Sequence, residues 1–243
     1  MNLIGLDISK VSTGLSIESK GKNYLFSYNT MKITSKWNKL LNIIEGVVIR
    51  TYEYDNSIED YSESEINKLS NFVKISNDIV SDILSVIDIN DETVIYLEGY
   101  SYGKNAGPLL DLVGIGSAVR TKVFEHIPNI KEMKVIAPKA LKLQCCEMVY
   151  GAVIKDIGKR KPKVVKIITN NDNDVKGGDF QKIDMYNTIK KYGQPHLLED
   201  LFIDKDEEIS SVKTFPKPIE DLNDALLLKE LIKFTPLEIK TNM

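Results

Sequence analysis

The stretch "NLIGLDISKVSTGLSI", residues 2–17, decides the fold. Leu3 to Asp7 is an apolar run that ends in a single acid, "SKVST" is a turn, and "TGLSIES" resumes with strand-like alternation. A second turn at "GK", residues 21–22, leads into "NYLFSYN". These segments predict an antiparallel meander of three strands, with Asp7 at the end of the first strand.

Helical and extended patterns follow the meander. Apolar spacings of three and four in "WNKLLNIIEGVVI", residues 37–49, and in residues 66–87 predict helices, the second starting near Ser64 and Glu65. "TVIYLEGY", residues 93–100, predicts a buried strand with Glu98 close to its end.

Later segments continue the same alternation. "KEMKVIA" predicts a strand, and Pro138 suits the first turn of the helix "KALKLQCCEMVYGAVI". Further helices are predicted for "LLDLVGIGSAVRTKVFEHI", "FQKIDMYNTIKKY" and "EDLNDALLLKELIKF". Strands at the start and then mixed strands and helices predict an α/β domain with a mixed sheet.

A chain of 243 residues is long enough for one large domain or two small ones, and its 42% hydrophobic content supports a proper core. We expect a helical and acidic segment at about residues 34–63 and a basic loop at about residues 155–180.

Composition argues against several classes of protein. No run approaches 18 apolar residues, which excludes a membrane span, and the N-terminus lacks a secretory pattern, so we expect a cytoplasmic location. The adjacent Cys145 and Cys146, with only His126 and His196 as histidines, do not form the pattern of a zinc site.

The net charge of −3 does not indicate a nucleic-acid-binding protein. A local exception is the basic segment "KDIGKRKPKVVK", residues 155–166. It is basic enough to contact phosphates, and the alternative is a solvated loop.

Four acids fall at comparable places. Asp7 and Glu98 end strands, and Asp221 and Asp224, three residues apart, begin the last helix. If the two strands are parallel neighbours, their acids emerge at one edge of the sheet, where the helix could add its own pair. Carboxylates gathered there need cations, and oxygen ligands favour Mg²⁺ or Mn²⁺, two of which can clamp a phosphoryl group.

Each acid also has a simpler explanation. An aspartate at a strand end is often a turn or cap residue, and Asp221 could be a first-turn acid that the helix dipole favours. Glu98 is harder to explain in this way, because its apolar flanks imply burial and an unpaired buried carboxylate is costly.

Four stretches in this order resemble the RuvC-type Holliday-junction resolvases of the ribonuclease H-like superfamily, and they span most of the chain. They are "IGLDISKVSTGLSI" (4–17), "VIYLEGYSYGKNAGPLLDLVGIGSAVR" (94–120), "VIAPKALKLQ" (135–144) with "GGDFQKIDM" (177–185), and "EDLNDALLL" (220–228). The resemblance implies a ribonuclease H-like fold, a mixed central sheet with antiparallel N-terminal strands and flanking helices. It also implies a single domain over residues 1–243, in which residues 34–63 are an insertion and residues 155–180 an expanded loop relative to the family pattern.

The resemblance also implies roles for the residues at matching positions. Two Mg²⁺ or Mn²⁺ ions per active site would be held by the catalytic acids Asp7, Glu98, Asp221 and Asp224. Lys182 would be a catalytic lysine at the scissile phosphate. Lys142 would contact DNA, with Lys139 competing for that role, and a solvated lysine is the alternative for Lys142 and Lys182.

Aromatic and basic positions complete the implied DNA contacts. Tyr100 or Tyr102 would stack on an unpaired base, unless the ring only packs in the fold. The interval before "GGDFQK" is longer than in the family, and its basic residues would grip flanking DNA arms: Lys159, Arg160, Lys161 and Lys163.

The implied activity is Mg²⁺-dependent cleavage of four-way DNA junctions by paired symmetric nicks. It implies a homodimer with two identical active sites, for which the helices at 66–87 and 109–126 are candidate interfaces. The composition, rich in Lys, Asn and Ile, suggests AT-rich coding and a viral or phage source, which would place the protein in the host cytoplasm.

Other functions remain open at this point. A related nuclease with the same acids would act on flaps, single strands or transposon ends. A non-catalytic protein could bind branched DNA only. "LDISKVSTGLSI" also looks somewhat like the first phosphate loop of sugar-kinase and actin-like ATPases, but the second phosphate loop of that fold is not visible.

Overall fold

The computed structural model describes residues 1–30, 47–55, 57–100, 106–150, 153–158, 161–168, 174–175, 184–185 and 217–234. Its centre is a six-stranded sheet. Across the sheet the strands are, in order, β4 (Val47–Thr51), β3 (Lys22–Asn29), β2 (Ser12–Ser19), β1 (Asn2–Asp7), β5 (Thr93–Glu98) and β6 (Ile130–Ile136).

The sheet is mixed. β1, β2 and β3 form the predicted antiparallel meander, whereas β5 runs parallel to β1, β6 parallel to β5, and β4 parallel to β3. Four helices accompany the sheet in the described part of the chain: α1 (Tyr61–Val86), α2 (Ala106–His126), α3 (Pro138–Tyr150) and α4 (Lys217–Lys233). This arrangement confirms the predicted fold class, and Pro138 begins α3 as expected.

Opposite faces of the sheet pack against different helices. Ile4 and Leu6 of β1 belong to the hydrophobic core that includes Ile79 of α1 and Val119 of α2. Neighbouring strand residues point to opposite faces, so Gly5 lies on the other face, where α4 packs. Asp7 is two residues beyond Gly5 and therefore shares the α4 face.

Two glycines allow α4 to lie directly on the strands. A Cβ at Gly5 would come within 2.0 Å of the Ala225 carbonyl oxygen, and one at Gly14 within 2.2 Å of the Asp221 carbonyl oxygen. The helix backbone therefore contacts the sheet where these strands have no side chain, which sets the height of α4 above β1 and β2.

The far end of α4 is held by a buried lysine. Lys229 is fully buried, and its Nζ lies 2.9 Å from Glu230 Oε1 and 3.6 Å from Glu18 Oε2, and it donates to Asn23 Oδ1. A buried ammonium is stable only when it is paired in this way. Since Gly14 lies under the start of α4 and Glu18 near its end, the helix follows the direction of β2.

Several sequence-based expectations were wrong in detail. Residues 47–49 were expected to end a helix, but they belong to strand β4, because the run of β-branched residues there favours an extended backbone. Helix α1 begins at Tyr61 rather than near Ser64, since the Asp60 side chain accepts a hydrogen bond from the Glu63 backbone N–H at 2.9 Å. Residues 37–46 lie outside the described residues.

The expected basic loop contains a small second sheet. β7 (Val153–Gly158) pairs with β8 (Lys161–Ile168) in an antiparallel ribbon, and β8 pairs with β9 (Asp174–Val175). The polar and basic composition of this segment had indicated a loop. The predicted helix at 180–192 is described only at Asp184 and Met185, which are helical. The division into domains stays a prediction.

Apolar side chains on α1 are not all in the core. Ile79 and Ile83 are buried as the periodicity predicts, but Ile66 is 62% exposed and Leu69 is 59% exposed. Among the described residues, no helix has the combination of length and apolar character that crossing a membrane requires.

Candidate metal centre

The parallel pairing of β1 and β5 brings two acids together. In this pairing Leu6 is opposite Leu97, so the next step of the register sets Asp7 beside Glu98 at the ends of both strands. Parallel neighbours in register point to the same face of a sheet. The carboxylates that the sequence places at two separate strand ends therefore share one edge of the sheet, as predicted.

Helix α4 brings the second pair of acids to this edge. One carboxylate oxygen each of Asp7, Glu98 and Asp224 can be chosen so that all three lie within 4.8 Å of one another. Asp7 is 3% exposed and Asp224 is 1% exposed, while Glu98 is half-buried. Asp221, one turn before Asp224, is also buried and lines the same cleft.

The electrostatics of this cluster favour a cation. Burial raises the pKa of Asp7 well above its ordinary value of 3.8, and the charges of Glu98, Asp221 and Asp224 raise this pKa further. Asp7 and Glu98 are also close enough to share a hydrogen bond. A positive ion among these oxygens would favour the charged form of Asp7 and so oppose both the burial and the repulsion that raise its pKa.

The donor set fits a hard divalent ion. The three clustered ligand atoms are carboxylate oxygens, the donors that Mg²⁺ and Mn²⁺ prefer. They border a cleft of about 280 Å³. Its described lining also includes Ser9, Glu220, Met185 and Lys142, so the acids face a space that can admit a ligand.

The two competing lysines are separated by the structure. Lys142 on α3 is half-buried and lines the cleft with the acids, whereas Lys139 is not part of the described lining. Pro138, at the start of α3, also lines the cleft, and Lys142 follows it by about one helical turn. Of these two lysines, Lys142 is the one that lies at the described cleft, and its contact with DNA stays a prediction.

The ring of Tyr100 is engaged within the fold. The Arg120 guanidinium lies over it, 4.2 Å from the ring centroid, and a Cβ at Gly116 would meet the ring at 2.6 Å. These contacts agree with the packing alternative for Tyr100, and its stacking on a base stays a prediction. Tyr102 lies outside the described residues.

The remaining predicted site residues are placed only in part. Lys161 and Lys163 lie in β8, in register with Gly158 and Asp156 of β7. The rest fall outside the described residues: Lys182, Lys159 and Arg160. Their roles stay predictions.

Sequence reasoning missed several residues of this region. Glu220 and Ser9 line the cleft, and each is adjacent or nearly adjacent in sequence to a predicted acid, which was an available signal. Met185 is buried in the cleft wall and follows the predicted Lys182 motif. Arg120, whose Nη2 donates to the Glu98 carbonyl oxygen at 3.0 Å, gave no local signal, because it is 22 residues away in sequence.

Comparisons with known proteins gave matches only among solved structures. No protein-family model and no curated protein matches the chain. The structure of Thermus thermophilus RuvC in complex with a Holliday junction substrate is similar at a TM-score of 0.39 and 10% identity, covering 95% of this chain and 90% of that one. A second T. thermophilus RuvC structure matches at a TM-score of 0.38 and 11% identity, covering 95% and 92%.

Proposed function

We propose that this chain is a divalent-metal-dependent endonuclease that cuts branched DNA, with the four-way junction as its substrate. The observation that carries the proposal is the convergence of Asp7, Glu98 and Asp224, whose ligand oxygens lie within 4.8 Å of one another beside a cleft. Buried carboxylates this close together destabilise the fold unless a cation binds between them. Their clustering is therefore best explained by a cation site.

In this proposal Asp7, Glu98 and Asp224 hold the metal, and Asp221 completes the set from the same helix. Mg²⁺ or Mn²⁺ bound there, as two ions, would lower the pKa of the attacking water and stabilise charge on the leaving oxygen. The burial of Asp7 and Asp224 keeps both carboxylates fixed before DNA arrives. Preorganised ligands of this kind do not have to reorient during the reaction.

The reaction is phosphodiester hydrolysis. Water supplies the new oxygen on phosphorus, the bond from phosphorus to the 3′ oxygen breaks, and that oxygen leaves as a hydroxyl group. The products are a 5′-phosphate and a 3′-hydroxyl. Lys142 lines the cleft and in this role contacts the phosphate from the side of α3, while Lys182 is a second candidate for the same charge.

DNA outside the cleft would meet the basic ribbon, which we define as strands β7 and β8 with residues 159 and 160 between them in sequence. Lys161 and Lys163 lie two residues apart in β8, and Lys159 and Arg160 precede them in sequence. A two-stranded ribbon can follow a duplex groove, and lysines on it would contact phosphates without reading the base sequence. We assign this ribbon to the arms of the junction.

The proposal includes a homodimer, because a junction has two symmetric strands to cut. Exposed apolar side chains on the two long helices support it: Ile66, Leu69 and Val73 on α1, and Leu110 and Val113 on α2. Apolar side chains exposed in series along packed helices are a common mark of a protein interface. A second copy of the chain is the partner that the symmetry of the substrate calls for.

The test is cleavage of labelled synthetic DNAs by the purified protein with Mg²⁺. The set holds a four-way junction, a flap, a single strand and a duplex that share sequence, and Asp224→Asn is the inactive control. Paired symmetric nicks in the junction, absent with the variant, support the proposal.

Other outcomes would redirect the assignment. Preferred cutting of flaps or single strands, still abolished in Asp224→Asn, would keep the metal site and move the substrate to that class. Junction binding without cleavage of any DNA would make the chain a non-catalytic binder of branched DNA. Equal cleavage by Asp224→Asn would refute the metal site itself.

A further inference from the structure

Arg120 of α2 contacts the chain on both sides of Gly99, directly behind the candidate metal centre. Its Nη2 donates a hydrogen bond of 3.0 Å to the backbone carbonyl oxygen of Glu98. Its guanidinium carbon also lies 4.2 Å from the centroid of the Tyr100 ring. One side chain therefore fixes the residue that carries the candidate ligand and the residue two positions further on.

The Tyr100 ring packs against α2 at Gly116. At Gly116, one turn before Arg120, an added Cβ would approach Tyr100 Cε1 and its hydroxyl oxygen to 2.6 Å. Gly116 thus leaves the room that the ring occupies, and Arg120 covers the ring from the next turn of the same helix. A cation over an aromatic ring is an attractive contact, so the pair holds itself together.

The end of β5 needs such support. The Gly99 N–H donates to the Ile136 carbonyl oxygen at 2.7 Å, which ties the strand end to β6. The Glu98 carbonyl oxygen accepts the hydrogen bond from Arg120. Arginine suits this position, because its planar guanidinium stays charged and can bond a carbonyl oxygen while it stacks on a ring.

We propose that Arg120 is a positioning residue for the metal centre, which holds the backbone of Glu98 so that its carboxylate meets those of Asp7 and Asp224. This inference rests on the proposed function and adds to it a residue outside the described cleft lining. Arg120 acts through Glu98 and does not touch the substrate. Groups that orient metal ligands from behind set the affinity of a site for its ion.

The experiment measures Mn²⁺ binding by calorimetry on the full chain, without DNA, together with thermal unfolding. Arg120→Met keeps much of the side-chain length and removes the hydrogen bond and the charge over the ring, so we expect Mn²⁺ affinity to fall by about tenfold. Arg120→Lys keeps a charge over the ring but has no planar fork, so its affinity should lie between those of wild type and Arg120→Met.

Arg50→Met is the matched control. Arg50 binds Asp82 through two N–H groups, with Nε 2.7 Å from Asp82 Oδ2, and neither residue belongs to the described cleft lining. Its replacement should lower the melting temperature and leave Mn²⁺ affinity unchanged. A merely structural role for Arg120 predicts the same behaviour for both arginines, whereas a positioning role separates them.

Three results would overturn the proposal. Wild-type Mn²⁺ affinity in a folded Arg120→Met or Arg120→Lys variant would remove the role of Arg120 and leave the metal centre intact. Equal reductions of affinity in Arg120→Met and Arg50→Met would assign the effect to general destabilisation. A wild-type chain that binds no Mn²⁺ would refute the metal centre, and with it any role for Arg120 there, so the two failures are distinguishable.

Discussion

Gly14 of β2 lies directly beneath Asp221 of α4, so closely that a Cβ on Gly14 would come within 2.2 Å of the Asp221 carbonyl oxygen. The close packing of α4 on β2 therefore also sets the position of Asp221 and Asp224 at the candidate centre. Anything that raises α4 at this point also moves the turn that carries Asp221 and Asp224 away from Asp7.

We predict that Gly14→Ala reduces cleavage by more than the loss of folding stability of this variant explains. The added methyl group meets helix backbone, which cannot rotate aside, so overpacking should destabilise the fold by about 1–3 kcal/mol. Gly21→Ala is the matched control, because Gly21 has a φ of +71° and nothing within 4 Å of an added Cβ. It should cost about 1–2 kcal/mol through backbone strain and leave Mg²⁺-dependent cleavage intact at 25 °C. Equal activity in the two variants would separate Gly14 from the site.

We predict that Asp7→Asn abolishes cleavage while junction binding is kept or strengthened. Removal of one metal ligand takes away several kcal/mol of transition-state stabilisation, which corresponds to a rate at least about 10³-fold lower. Binding persists because an anion that faces phosphate is removed. Gel-shift titration and cleavage of the same labelled junction measure the two effects. Normal cleavage by this variant would contradict the assignment of Asp7.

The same substitution should make the metal-free chain less sensitive to rising pH, so that it becomes more stable than metal-free wild type. The pKa of Asp7 is higher in the folded chain than its ordinary value of 3.8, so wild type loses stability as pH rises above that value toward the raised pKa. An asparagine side chain cannot ionise, so thermal unfolding of Asp7→Asn in EDTA should show a weaker decline over this range. A loss of stability equal to that of wild type would show that ionisation of Asp7 is not its cause.

We predict that Lys142→Ala reduces cleavage and Lys139→Ala does not. Both lysines belong to α3, but only Lys142 lines the described cleft with the acids. Removal of one positioned charge at a reacting phosphate typically costs about 10²-fold in rate. Single-turnover cleavage of the junction measures the effect. The reverse order of the two variants would show that Lys139 supplies the phosphate contact.

We predict that neutralising the basic ribbon flattens the salt dependence of junction binding. Replacing Lys159, Arg160, Lys161 and Lys163 with Gln should reduce the slope of log affinity against log salt by about 0.9 for each phosphate that the variant no longer neutralises. The control is Lys20→Gln with Lys131→Gln, since both lysines lie at the end of the sheet opposite Asp7. An unchanged slope in the fourfold variant would make the ribbon a solvated element.

We predict that the chain is a dimer in solution and that Leu69→Glu weakens it. Leu69 is 59% exposed on α1, so a charge there should not disturb the monomer but should be costly inside an apolar interface. Analytical ultracentrifugation measures the dissociation constant. Val135→Glu, at an exposed site on β6, is the control and should leave the dimer unchanged. A monomeric wild type, or no effect of Leu69→Glu, would contradict this interface.

The meander and the meeting of two acids could be predicted from sequence because both depend on local pattern. The alternation after Asp7 marks the strands, and the ends of parallel neighbours necessarily share an edge. The sequence could not distinguish Lys142 from Lys139, because the two lysines differ in which side of α3 they lie on, and only one side meets the cleft. Strand β4 was missed because it is short, and a short apolar run is compatible with a helix as well as with a strand.

Contacts between distant elements were the least predictable part. Arg120 reaches the Glu98 carbonyl oxygen from a separate helix, 22 residues further along the chain, and no spacing in the sequence announces it. The exposure of side chains on α1 was equally unpredictable. Ile66 and Ile79 are the same residue type, and only the tertiary structure makes the first exposed and the second buried.

The order in which the ligands occur along the chain has a consequence for biosynthesis. Asp7 and Glu98 are made early, but Asp224 belongs to α4, the last described helix, which must dock on β1 and β2 before the three oxygens meet. A nascent chain on the ribosome therefore carries an incomplete centre, however well its sheet has formed. If the chain has the proposed nuclease activity, this activity would arise in a single late step, and a molecule from which proteolysis had removed α4 would not cut DNA.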